Sequence, residues 1–277
     1  MSGRTPIRRA GNHARGGRSI RRASAGLSPL RAGAILVMLL SAAGTYGVAT
    51  ASAFGFSDMT LDGATFTTRA DVTTALALTN GENLVTLRTD GLADALRQLP
   101  TVKDATVSVD LPDTIRVRVE ERIPVVVWVT GTGRYLVDST GLLFAAADAS
   151  PATAVGALRL IQDKRAASVG LVVGTSLDPV DLDAATRLGS IVPSDVGSAA
   201  TALTLTLDDD HGFVLASGAG GWSATFGFYT PSLRTADKIP DQVRTLRSLI
   251  GAYGEPAIAT VMLAGSENGT FTRKDGK

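Results

Sequence analysis

The sequence has no cysteine in 277 residues and only two histidines, His13 and His211. The first absence removes disulfide frameworks, thiolate metal sites and thiol nucleophiles. The second leaves His211 as the sole histidine outside the N-terminal segment on which a Ser-His-Asp triad would depend. No G-x-S-x-G elbow accompanies it, so the residues offer no catalytic constellation. Gly218-Ala219-Gly220-Gly221 lacks the Lys-Ser/Thr ending of a phosphate loop and precedes a strand pattern, so it reads as a turn. Asp208-Asp209-Asp210-His211 is read as a solvated hairpin tip rather than a metal site, because adjacent side chains on a strand diverge. No metal, cofactor or small-molecule substrate is expected, and there is no internal repeat.

Two further absences are regional. Residues 1–31 hold no acid but eight arginines (Arg4, Arg8, Arg9, Arg15, Arg18, Arg21, Arg22 and Arg31). The rest of the chain has 19 basic and 26 acidic residues, a net charge of −7. A basic arm on an acidic body does not describe a nucleic-acid-binding fold, which carries its positive charge on the folded surface. Residues 32–57 hold no charge at all, around the apolar centre Ile35-Leu36-Val37-Met38-Leu39-Leu40. As a helix this stretch reaches about 39 Å, enough to cross a hydrocarbon core. Arginine-rich flanks stay cytoplasmic, which puts the N-terminus inside and everything after Ser57 outside. A cleaved signal peptide is the competing reading, because Ala51-Ser52-Ala53 is a small-residue site of the A-x-A kind. Either way the body is exported.

The expected organisation is a basic tail over 1–31, a transmembrane helix over 32–56, a first domain over 57–122, a β-rich domain over 123–265 and a polar tail over 266–277. In the first domain Met59 to Gly63 reads as a strand, and Thr68-Arg69-Ala70-Asp71 as a capping box opening a helix with Val72, Leu76 and Thr79 on one face. A second helix carries Leu92, Leu96 and Leu99 and stops at Pro100. Ala105, Val107, Val109 and Leu111 alternate with polar residues, as do Ile115, Val117 and Val119 after the Pro112-Asp113 turn. The order is β-α-α-β-β, two helices over a three-stranded sheet. Arg116, Arg118 and Arg122 read as a solvated basic strand face.

In the second domain, strands are expected at 125–129, 134–138, 142–144, 171–173, 203–207, 213–216, 222–228 and 258–263. A helix capped by Asp178 with Pro179 at its first position carries Leu182, Ala185 and Leu188 inward. Another begins at Pro240, with Gly251 as its stop. Trp222, Phe226 and Phe228 read as one core face, and the fold class is α+β.

Several stretches of the first domain and its exit resemble the POTRA domain of the FtsQ/DivIB cell-division family. They are Leu61-Asp62-Gly63, Gly81-Glu82-Asn83-Leu84, Leu99-Pro100-Thr101-Val102-Lys103-Asp104-Ala105-Thr106-Val107, Leu111-Pro112-Asp113-Thr114-Ile115 and Glu121-Arg122-Ile123-Pro124-Val125. Tyr135-Leu136-Val137-Asp138 with Gly141 is similar to the family's turn at the start of the second domain. The resemblance implies a non-enzymatic divisome scaffold at the division septum, a single-pass membrane protein. Its expected partners are FtsB-like and FtsL-like coiled-coil proteins and, through them, septal peptidoglycan synthases. It also implies that a partner segment adds a strand beside the last strand of the second domain. Here that maps to Ile258, Thr260, Val261, Met262, Leu263, Ala264, Gly265 and Ser266. The run Val261-Met262-Leu263-Ala264 lacks the Asp and Arg that family members often carry there. A function of another class, a POTRA-bearing chaperone or transport component for exported polypeptides, would bind many extended peptides weakly instead of one partner specifically.

Overall fold

The computed structural model describes residues 28–49, 52–232, 234–264 and 269–274, and divides into two units, residues 1–50 and 51–277. In the first unit, helix α1 (Pro29–Ala49) is long and apolar enough over Pro29–Gly47 to cross a membrane, by length and composition. It starts before the uncharged stretch because Ser28 accepts the Arg31 amide and Pro29 suits a first helical turn. It ends short of residue 56 because the following residues are claimed by the second unit. Phe54 carbonyl accepts from the Leu84 amide, Gly55 bridges to Asn83, and Phe56 amide donates to Glu82 carbonyl.

The second unit opens with the β-α-α-β-β order anticipated above: β1 (Asp58–Asp62), α2 (Arg69–Leu76), α3 (Thr89–Arg97), β2 (Val102–Asp110) and β3 (Thr114–Glu121). The sheet order is β1-β3-β2, with β1 parallel and β2 antiparallel to β3. Val72, Leu76, Leu84 and Leu96 close over Met59, Val107, Ile115 and Val117 in one core. The Thr68–Asp71 capping box forms, but Ala77 turns left-handed (φ 49°), so Thr79 lies beyond the helix. Gly63 holds φ 82°, and a Cβ there would sit 2.3 Å from the Val119 carbonyl oxygen, so only glycine permits β1 to leave the sheet at this point.

Strand β3 runs almost without interruption into β4 (Pro124–Val129), and two charged residues at the joint fasten both sides. Glu121 accepts the amides of Thr65 (2.7 Å), Phe66 (2.9 Å) and Thr67 (2.6 Å). Arg122 donates to Pro100 carbonyl (3.0 Å) and to Asp138 Oδ2 (2.6 Å). The other oxygen of Asp138 takes Thr140 (amide and hydroxyl) and the Leu142 amide. Phe66 meets Phe144 edge-on, with ring centroids 5.4 Å apart. Arg122 is therefore tied into the joint, unlike Arg116, which pairs with Asp110 on the exposed face.

The second sheet continues with β5 (Arg134–Asp138), β6 (Leu143–Ala146), the short α4 (Ala152–Val155), β7 (Arg159–Asp163), α5 (Pro179–Gly189), β8 (Thr204–Asp208), β9 (Gly212–Ala216), β10 (Ser223–Gly227), α6 (Ile239–Tyr253), β11 (Ile258–Met262) and β12 (Thr270–Arg273). Its nine strands run in the order β12-β11-β10-β9-β8-β7-β4-β5-β6. Helices α5 and α6 pack Leu182, Leu188, Leu246 and Ile250 against Trp128, Ile161, Leu207, Phe213 and Trp222. Val127, Leu136 and Phe144 form a second cluster on the opposite face.

Four expectations in this domain need correction. Residues 171–173 are not a strand: Val172 and Val173 are exposed where the chain turns at Gly174 along β6. The strand is β7, masked in sequence because its two inward residues are Ile161 and the buried Asp163, so only one of them is apolar. Helix α6 runs through Gly251 and stops at Gly254, which has φ 80°. Phe228 leaves the core face (43% exposed) because the ladder slips at Gly227, whereas Trp222 and Phe226 are buried as expected. The polar tail contains β12.

The joint generates an acid-stability prediction. Burial works against charge on Asp138, but bonds from Thr140, Arg122 and Leu142 outweigh it and hold the carboxyl below its ordinary 3.8. A depressed folded value stabilises the protein above the unfolded value and is lost as pH falls through the folded one. The stability gap between the wild type and Asp138→Asn, followed by urea unfolding, should therefore narrow as pH drops below 3.8. At neutral pH, Arg122→Ala leaves that carboxylate unpaired and should cost about 2–3 kcal/mol.

Candidate partner-binding edge

The two ends of a nine-stranded sheet are its open hydrogen-bonding edges, and here they differ. At β6 the chain seals itself: Leu143 amide donates to Thr175 carbonyl, Gly174 amide to Leu143 carbonyl, and Leu142 bridges to Ser176. At β12 no further strand follows among the described residues. Lys274 amide donates to Ala257 carbonyl (3.1 Å) across the β11–β12 ladder, and Leu263 amide donates the other way, to Thr225 carbonyl of the β10 side (2.9 Å). Donors alternate along an antiparallel strand, so Thr270 and Thr272 amides face β11, and those of Phe271 and Arg273 face outward.

Local chemistry pins β12 without covering it. Phe271 turns to the core side opposite Val261 and meets the Tyr253 ring at 4.4 Å between centroids. The Thr260 and Thr272 hydroxyls hydrogen-bond across the ladder, and Lys274 Nζ donates to Gly220 carbonyl (2.9 Å). Just before β11, Glu255 accepts from Ser198 hydroxyl, Ala199 amide (2.8 Å) and Trp222 Nε1 (2.8 Å). Burial raises its affinity for a proton, but these bonds outweigh it and keep the carboxyl below its usual range.

At the other end of β11, the segment 228–235, whose role the sequence does not reveal, acts as a latch. Arg234 donates to the carbonyls of Phe226 and Leu263, and Gln242 Nε2 does the same at 3.2 and 3.1 Å. Tyr229 hydroxyl donates to Gln242 (2.7 Å) under the Arg234 guanidinium. Gly227 (φ 83°) makes room, because a Cβ there would lie 2.8 Å from Ala264 Cβ. A shallow depression of about 210 Å³ opens between Arg234, Phe228, Met262, Ala264 and the β8–β9 hairpin tip. At that tip Asp208 Oδ1 caps the turn by accepting the Asp210 and His211 amides.

Comparison with known proteins now bears on this arrangement. A family model described as "POTRA domain, FtsQ-type" matches residues 54–122. The chain is 34% identical over 151 residues to Cell division protein FtsQ of Mycobacteroides abscessus, covering 53% of this chain and 46% of that protein. It is 33% identical over 117 residues to Cell division protein FtsQ of Streptomyces venezuelae (42% and 43%), and 35% over 85 residues to that of Jannaschia sp. (31% and 27%). Residues 54–122 therefore match an FtsQ-type POTRA domain, and the chain is similar to FtsQ cell-division proteins over part of their length. The matched stretch spans less than half the length of each of these relatives.

The sequence-derived edge residues fall as follows. Ile258, Val261 and Leu263 are buried, Thr260 and Met262 are exposed on the open sheet face, and Ala264 is half-buried. Gly265 and Ser266 lie outside the described residues. Strand β11 is flanked by β10 on one side and β12 on the other, so it is not the last strand, and its main chain has no open ladder. The open ladder belongs to Thr270, Phe271, Thr272 and Arg273. Sequence reasoning missed them because four residues with one apolar side chain give almost no alternation.

Phe271→Ala should release β12 while leaving the rest of the sheet in place. The side chain is only half-buried, so the local cost should be about 1–2 kcal/mol. Hydrogen exchange should show faster exchange at the Thr272 and Lys274 amides, with little change at β8 and β9.

Proposed function

We propose that this chain is a membrane-anchored cell-division protein that works as a non-enzymatic scaffold, capturing a partner segment as an added strand beside β12. The observation that carries the mechanism is the pair of outward-facing main-chain donors at Phe271 and Arg273 on an unsealed edge. Strand addition takes affinity from such groups and selectivity from alternate side chains. Thr260 and Met262 lie on the face that an added strand would extend, and the depression beside Met262 offers a place for one of its side chains.

The similarity to FtsQ cell-division proteins supports FtsB-like and FtsL-like coiled-coil proteins as the partners, with septal peptidoglycan synthases acting through them. The seven arginines before α1, with Arg31 in its first turn, support an N-terminus in the cytoplasm and a folded unit outside, at the septum. No step in this role requires a nucleophile, metal or cofactor.

The test follows from the ladder. Val261→Pro would break an interior strand and so confound folding with binding. Arg273→Pro instead deletes an outward donor on the edge, and Arg273→Ala is the matched control that keeps it. Tagged full-length protein recovered from its own membranes should bring down small single-pass coiled-coil proteins with the wild type and the alanine variant, and lose them with the proline variant. Undiminished capture by folded Arg273→Pro would exclude the edge. Recovery of a broad set of exported polypeptides would favour a chaperone role.

A further inference from the structure

Two large apolar side chains of the POTRA domain lie outside its core: Leu111 is 54% exposed and Val85 46%. Neither belongs to the edge described above, and the ladders around β1 place them together at one end of the domain. On one side β1 runs parallel to β3 with Asp58 opposite Thr114, and Ser57 amide donates to Asp113 carbonyl (2.9 Å). Leu111 lies two residues before Asp113, in the turn between β2 and β3. On the other side the chain is antiparallel: Phe56 amide bonds Glu82 carbonyl, Gly55 bridges Asn83, and Leu84 amide bonds Phe54 carbonyl. Val85 follows Leu84 directly, in the turn over residues 84–86. Leu111 and Val85 therefore flank the point where the chain enters the domain.

The polar groups at this end are engaged locally. Asp113 accepts from Ser57 hydroxyl (2.7 Å), Asn83 Oδ1 from the Val85 amide (2.9 Å), and Asp110 pairs with Arg116 (2.7 Å). The tip of the β2–β3 hairpin thus presents Leu111 beside exposed Pro112, between two aspartates with partners of their own. The length of chain behind it is short. From Gly47, the last residue of the apolar span, to Phe54 there are only seven residues, the first and last of them helical. Such a stretch reaches no more than about 20 Å.

We infer that this end of the POTRA domain rests on the bilayer, with Leu111 and Val85 dipping into the boundary between headgroups and acyl chains. The inference rests on the reading of α1 as a membrane anchor. An apolar span in the hydrocarbon core leaves too little chain to hold the domain far from the headgroup layer, and apolar side chains at such a boundary leave water. The contact would limit tilting of the domain about its tether.

The absence of cysteine makes the test direct. Single-cysteine variants of the full-length chain, Leu40→Cys, Val85→Cys, Leu111→Cys and Asp210→Cys, are labelled with an environment-sensitive fluorophore and reconstituted into phosphatidylcholine vesicles. Lipids spin-labelled near the headgroup or deep in the chain serve as quenchers. Position 40 reports the anchor. Position 210 is the aqueous control: β4 leads away from Glu121, β7 and β8 run parallel to it, and the β8–β9 hairpin tip lies at their far end.

The expected result is blue-shifted emission at 85 and 111, quenched by the shallow label, with position 40 quenched by the deep label and 210 by neither. In a second variant, Leu111→Asp should weaken shallow quenching of a probe at 85, since a carboxylate resists leaving water. Probes at 85 and 111 as water-exposed as the one at 210, with 40 still quenched, would overturn the contact and leave the anchor standing. A probe at 40 that no lipid label quenches would overturn the anchor reading, and the inference with it.

Discussion

The architecture of the folded unit depends on the short joint at Glu121-Arg122. A strand that leaves one sheet and enters another within two residues has few ways to swing, yet nothing about a strand alone fixes its roll. The side chains do that. Glu121 gathers three successive amides of the 65–67 turn, and Arg122 spans from Pro100 carbonyl in the first domain to Asp138 in the second. Asp138 in turn holds the turn that starts β6. One carboxylate and one ion pair therefore set the first domain, the second domain and the loop between them. An isolated exposed ion pair would contribute little. Asp138 is 5% exposed, so its charge cannot be left to water, and the geometry around it has to be met.

That coupling explains why the first domain and its exit were legible from residues alone. Gly63 is required by the carbonyl of Val119, Ala105 by helix–sheet packing, Pro100 by the helix end, and Glu121 by the amides it collects. Each position is dictated locally, so each leaves a recognisable residue type. The second domain was legible where alternation was strong, as in Val125 to Trp128 and Leu205 to Leu215. It was not legible where tertiary contacts overrode pattern. β7 is held between two parallel neighbours and turns inward one apolar residue, Ile161, with the buried Asp163 beside it, and the exposed pair Val172-Val173 imitates a strand that does not form.

The candidate site was half legible for the same reason. The end of the molecule was identified through resemblance, and Ile258 to Met262 is a strand at that end. Which ladder stays open is decided by four residues whose pairing depends on Lys274 amide, Phe271 and the Tyr253 ring, none of which carries a sequence signature.

The shortness of β12 also sets a limit on what the edge alone can do. Two outward amides and their neighbouring carbonyls offer about four main-chain hydrogen bonds, each worth about 0.5–1.5 kcal/mol net. Their sum, about 2–6 kcal/mol, corresponds at best to a dissociation constant between tens of micromolar and tens of millimolar, before the cost of ordering the added segment. An edge of this length is too weak to recruit indiscriminately, which protects the protein from pairing with any extended chain. It follows that a specific partner must draw most of its affinity from side chains. The surfaces available to them are Thr260, Met262 and Thr270 on the open face and the depression between Phe228 and Arg234. Arg234 supplies positive charge at that depression.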